Sequence, residues 1–118
     1  MSETSTSETV ASFNRGVGAL MRESATSEMM RGFHAMHQAA TAPGALTTRV
    51  KELIALGIAI SAQCDGCVAW HVTNAVKAGA VRDEVLETIG VAIMMGGGPS
   101  TYYGGKALDA LNSVLTSD

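Results

Sequence analysis

Apolar residues recur along this chain at helical spacing. Met29, Met30, Phe33, Met36 and Ala40 lie three or four residues apart and predict a helix from Ser27 to about Ala40. Ser27 is expected as its N-cap, with Glu28 in the first turn. Ala42-Pro43-Gly44 ends it, because proline cannot continue a helix and glycine accepts the turn. The next helix runs from Ala45 to about Ala62. No residue from Leu53 to Ile60 is polar, and a helix that is apolar all round is buried on all sides. In a small domain that makes it either central or covered by another subunit. Gln63 to Ala78 forms a further helix, stopped by Gly79. Val81 to Met95 forms another, with Asp83 and Glu84 well placed in its first turn. Gly96-Gly97-Gly98-Pro99 breaks it, and Pro99 suits the start of a last helix reaching about Leu115.

The upstream pattern is weaker. Val10 to Arg22 is helical in period but carries Gly16 and Gly18, and Met1 to Glu8 reads as a mobile polar tail. No alternating pattern exceeds three or four residues, and no repeat occurs. The expected fold is all-α: one compact domain of about five to six helices over residues 9–118.

Composition narrows the function classes. The chain has 118 residues, enough for one domain, and 47% of them are apolar. A chain of this size buries only about two-thirds of its unfolded surface, so further burial has to come from a partner subunit. The net charge of −3, with 16% charged residues, gives no basic face for nucleic acid and no polybasic membrane contact. Met1 to Thr9 lacks the basic start and apolar stretch of a signal peptide, and the apolar runs are too short for a bilayer. The expected location is the cytoplasm. Both cysteines lie in one short motif, and in a reducing compartment such a pair is redox-active or metal-binding more often than structural.

The motif is Cys64-Asp65-Gly66-Cys67, with His71 four residues on. On a helical wheel with Cys64 at zero, Cys67 falls near −60° and His71 near roughly −20°, so all three share a face. An imidazole one turn from a thiol can accept its proton, and a helix start favours the thiolate. One sulfur of such a pair can attack while the other resolves. Gly66 lends the turn flexibility, whereas Asp65 weakly disfavours a nearby thiolate. Glu52 precedes the apolar run on a helix expected to pack antiparallel to the cysteine helix. It lies about 18 Å of helix before Cys64, against about 10 Å from Cys64 to His71, so spacing alone does not make Glu52 and His71 neighbours.

Other readings stand beside this one. The cysteines could be two buried small hydrophobes. Cys64, Cys67, His71 and Glu52 could hold zinc, although three ligands within two turns of one helix make a poor tetrahedron. His34 and His37, three apart on a helix, could bind a metal together, but two ligands are weak evidence and an ordinary polar face is expected for them; Trp70 is expected in the core or at a subunit contact, and Met94 and Met95 as core fillers. Gly96 to Gly98 lacks the lysine and preceding strand of a phosphate loop and reads as a helix break. Nothing in the spacing assigns Tyr102 and Tyr103.

Lys51-Glu52-Leu53-Ile54-Ala55-Leu56, Cys64-Asp65-Gly66-Cys67, His71 and Lys77-Ala78-Gly79-Ala80 together resemble the carboxymuconolactone decarboxylase family. The resemblance is to its branch similar to alkyl hydroperoxidase D, and covers roughly Ala45 to Gly98. The ordered set Glu-x11-Cys-x2-Cys-x3-His is its most specific part. The resemblance implies an all-helical oligomer, trimeric or hexameric, that reduces peroxides or disulfides through the two cysteines. It implies a proton relay of Glu52 and His71 onto Cys67, with Cys64 as disulfide partner, an external dithiol or reductase, and no cofactor or metal. Longer members carry a histidine just before the second cysteine, where this chain has Gly66. True decarboxylases lack the cysteine pair. The alternatives are a lyase on the same scaffold with His71 as base, and a non-enzymatic metal-binding or oligomeric module.

Overall fold

A computed structural model describes residues 6–116, which form six α-helices with no strand among them. The helices are α1 (Thr6–Arg22), α2 (Ser27–Thr41), α3 (Thr48–Ala62), α4 (Asp65–Lys77), α5 (Arg82–Gly96) and α6 (Gly98–Thr116). The all-α expectation holds, and most boundaries move by a few residues for local reasons. α1 runs unbroken through Gly16 and Gly18 and reaches back to Thr6, inside the stretch expected as a polar tail. Met1 to Ser5 of that stretch lie outside the described residues. Thr26, not Ser27, is the N-cap residue of α2. α3 begins at Thr48 rather than Ala45, because the Thr47 hydroxyl accepts the Val50 N–H at 3.1 Å and fixes the first turn there.

Two residues separate α3 from α4. Gln63 adopts the left-handed conformation, with φ of 58°, and Cys64 is extended, so α4 starts at Asp65 rather than Gln63. So short a link folds the two helices back on each other, and they form the most extensive helix pair in the fold. Gly79, with φ of 99°, closes the other end of α4, as its position predicts. At the start of α5 the Val81 N–H donates to the Glu84 carboxylate at 3.0 Å, and Glu84 also pairs with Arg49 of α3 at 3.3 Å. The glycine break after α5 holds too, with Gly97 at a φ of 72°.

The core sits between α3, α4, α5 and α6. Leu56, Ile60, Val68, Val72, Val85 and Leu111 are fully buried there. Gly104 lets α6 approach α5, since a Cβ at that position would lie 3.0 Å from Ile89. α3 is central, touching α2, α4, α5 and α6. It is not buried all round, however: Ile54 is 49% exposed and Ile58 63%. Met94 and Met95, expected as core fillers, are exposed because they lie on the outward side of α5. Ile54, Ile58, Val91 and Met95 line an open apolar groove of about 470 Å³. No helix among the described residues is long and apolar enough to cross a membrane.

Candidate active site

The two cysteines are joined by a disulfide at the head of α4, with Cα atoms 5.2 Å apart. Cys64 is the N-cap of that helix, and its Sγ accepts the backbone N–H of Cys67 at 3.2 Å. One sulfur therefore closes the disulfide and satisfies an otherwise unpaired helix-start donor. Both cysteines are half-buried. Gly66 is helical and has no positive φ, so flexibility is not its use. A Cβ there would run into the ring of Phe13, which α1 lays across the motif.

Asp65 does not face the cysteines as a lone charge. Lys106 of α6 places its Nζ 3.3 Å from the Asp65 carboxylate, and also lies over the Tyr102 ring. Partial burial pulls the Lys106 ammonium down, but the hydrogen bond and charge of Asp65 outweigh it and hold the group above its ordinary value of 10.5.

Glu52 and His71 meet. His71 Nδ1 lies 2.7 Å from Glu52 Oε2, with the glutamate side chain 3% exposed. The mismatch in helix lengths is about 6 Å once the two-residue link is discounted, and two outstretched side chains span that. A buried carboxylate needs partners for both oxygens. The second comes from α2, where His37 Nε2 lies 3.2 Å from Glu52 Oε1. His37 is thus not on an ordinary polar face. Its neighbour in the expected pair, His34, stays exposed and lines the adjoining cavity. A signal for His37 was available: Met30 is the buried residue of α2, and His37 lies seven residues on, on the same face.

Helix-end contacts set His37 over Glu52. Thr48 Oγ1 donates to the Thr41 carbonyl at 2.7 Å, and Lys51 Nζ to the Ala42 carbonyl at 2.7 Å. These tie the end of α2 to the start of α3. Trp70, expected in the core or at a subunit contact, packs instead against both imidazoles, with ring centres 4.6 Å from His37 and 4.9 Å from His71. Phe13 lies 5.9 Å beyond it. A cavity of about 500 Å³ opens beside the cluster, lined by His34, His37, Glu52, Trp70, Asn74 and Lys77 among others.

The helix α4 thus carries a disulfide at its start and, one turn on, an imidazole held by a buried carboxylate that also meets a second imidazole. With Nδ1–H donated to Glu52, His71 keeps Nε2 as its basic nitrogen. All four residues singled out by sequence lie on the paired helices α3 and α4 or their link, and His37 is the member that sequence reasoning missed.

The model of the carboxymuconolactone decarboxylase family matches residues 27–110. An uncharacterised protein of Cupriavidus necator is 42% identical over 103 residues, covering 85% of this chain and 89% of that one. An uncharacterised protein of the cox locus of Paracoccus denitrificans is 37% identical over 82 residues, covering 70% and 74%. The crystal structure of a family protein from Legionella pneumophila superposes with a TM-score of 0.87 at 39% identity, covering 92% of this chain and 96% of that one. A family protein from Thermotoga maritima shares the fold, with a TM-score of 0.78 at 23% identity over 90% and 89%.

Proposed function

The chain belongs to the carboxymuconolactone decarboxylase family, and from that premise we propose that it is a thiol oxidoreductase of the alkyl hydroperoxidase D type. It reduces a peroxide or a partner disulfide by cycling Cys64 and Cys67 between dithiol and disulfide. The observation that carries this reading is the 2.7 Å contact of His71 with the buried Glu52, one helical turn beyond Cys67. Glu52 holds the imidazole by Nδ1, and Nε2 exchanges the proton of the Cys67 thiol. His37 and Trp70 hold that pair in place.

An external dithiol reduces the disulfide and is itself oxidised. The Cys67 thiol gives its proton to His71, and the thiolate attacks a peroxide oxygen. An S–O bond forms, the O–O bond breaks, and the leaving oxygen takes the proton from His71 to depart as alcohol or water. The sulfenic acid on Cys67 condenses with the Cys64 thiol, releasing water and restoring the disulfide. The reading places the protein in the cytoplasm, where a dithiol pool exists, and makes it a homo-oligomer, trimeric or hexameric. The apolar groove between α3 and α5 supports the latter.

The test is peroxide consumption with a dithiol reductant. Wild type is expected to turn over, Cys67→Ser to be inactive, and His71→Phe to fall by about 10²-fold, a typical general-base contribution. Equal rates in all three reject the proposal. Turnover of a carbonyl acid that survives Cys64→Ser and Cys67→Ser together points to the lyase instead.

A further inference from the structure

Three side chains from three helices converge beside Trp70. A ring nitrogen of His37, a carboxylate oxygen of Glu52 and a ring nitrogen of His71 all lie within 4.8 Å of one another. Two imidazoles and a carboxylate are a donor set that borderline divalent ions take, with a fourth position left to water. We propose that His37, Glu52 and His71 bind a divalent transition ion of the zinc class, and that the ion, when bound, switches off the thiol relay. The binding claim stands on the cluster alone, while the switching claim rests on the function proposed above.

The geometry is close to what an ion needs. Around a tetrahedral ion with bonds of about 2.0–2.1 Å, neighbouring ligand atoms lie roughly 3.3 Å apart. His37 Nε2 stands 3.2 Å from Glu52 Oε1 and His71 Nδ1 2.7 Å from Oε2, so each imidazole has its own carboxylate oxygen and the ion would sit between the two rings on one or both oxygens. The widest separation, 4.8 Å, has to close by about 1.5 Å on that geometry. His37 has the freedom to do so, since its side chain is 22% exposed and it borders the cavity, whereas Glu52 is fixed. The cavity also provides the path by which an ion enters and water fills the open position. Trp70 against both rings restricts their orientation before any ion arrives.

Binding alters the protons in a defined way. The ion needs the lone pair of His71 Nδ1, so the Nδ1 proton leaves and the ring takes up the Nε2–H tautomer. Nε2 then carries a hydrogen and no longer accepts the Cys67 proton. His37 changes in the same sense, giving the Nε2 lone pair to the ion and keeping its hydrogen on Nδ1. No electron moves, and the disulfide is untouched.

The oxidised full-length chain is the right material, because its disulfide withholds both thiolates from the metal. Equilibrium dialysis against Zn²⁺ with metal analysis is expected to give one ion per chain. His37→Ala is expected to weaken binding by roughly tenfold or more, and His34→Ala to leave it unchanged. Co²⁺ in place of Zn²⁺ should show the visible absorption of a four-coordinate site, lost in His37→Ala, with circular dichroism confirming that the variant is folded. No saturable binding by the oxidised wild type, or equal binding by His37→Ala, overturns the site. None of these readouts uses turnover, so failure of the peroxidase reading and failure of the metal site are separately visible. If the chain does turn over, Zn²⁺ that binds without slowing it overturns the switch.

Discussion

Asp65 stands between the two cysteines, and what it does to them depends on Lys106. The 3.3 Å pair masks the acid beside the sulfurs. Because Lys106 is held above its ordinary value, the pairing contributes from the pH at which the carboxylate is ionised up to about 10.5, and on the alkaline side it is lost as pH rises through the higher folded-state value of the lysine. Lys106→Met should therefore slow alkylation of the reduced cysteines by about two- to fivefold at neutral pH, the size expected of an exposed ion pair. The gap to wild type should narrow at strongly alkaline pH, where the wild-type lysine also loses its charge. An alkylation-rate profile against pH checks both parts, and superposed profiles reject the effect. From sequence, Asp65 could be read only as an opponent of the thiolate, since its partner lies 41 residues away. His71 was legible because it and Cys67 share one helix, where register follows from spacing. Glu52 was legible only through likeness to a family. His37 was read as an ordinary polar-face residue: its spacing puts it on the face of Met30, but whether that face meets Glu52 depends on how α2 docks.

At the scale of the helix, α1 shows how an element with weak sequence signals can still shape a site. Gly16 and Gly18 lowered the expectation for it, yet it forms and carries Phe13 onto Gly66 and Trp70. The lack of a histidine before the second cysteine then has a steric reason: the Phe13 ring occupies that space. The second imidazole at the site comes instead from α2. Gly66→Ala sets two effects against each other. Alanine gains about 1 kcal/mol of helix propensity over glycine, while a methyl forced onto a packed ring costs about 1–3 kcal/mol. Overpacking should win, lowering the melting temperature by several degrees, and Phe13→Ala in the same chain should recover much of the loss. Thermal unfolding of the single and double variants measures it, and a stabilised Gly66→Ala contradicts the packing. The boundaries of α3 and α4 shifted for a similar reason. The Thr47 cap and the left-handed Gln63 are decided by single hydrogen bonds and dihedrals, finer than a hydrophobic period resolves.

Across the whole molecule, the apolar run Leu53 to Ile60 promised more burial than one chain provides. Leu56, Ala59 and Ile60 are in the core, but Ile54 and Ile58 are exposed and line one groove with Val91 and Met95. An outward apolar surface of that extent suits contact with another chain better than water. The proposed oligomer makes a direct prediction. Light scattering at micromolar concentration should give a mass of several chains, and Ile58→Glu should reduce it while leaving the helical signal intact. A monomeric wild type, or an Ile58→Glu variant of unchanged mass, removes this face as the interface.

The sulfur of Cys64 has two separable duties, as one half of a covalent bond and as a lid on the first turn of α4. Serine can keep the second and not the first, because its hydroxyl is among the preferred helix caps, whereas alanine keeps neither. Cys64→Ser is therefore the cleaner test of the proposed cycle: it removes the disulfide couple and leaves the helix cap standing. A loss of behaviour seen only with Cys64→Ala would belong to the scaffold, not to the chemistry.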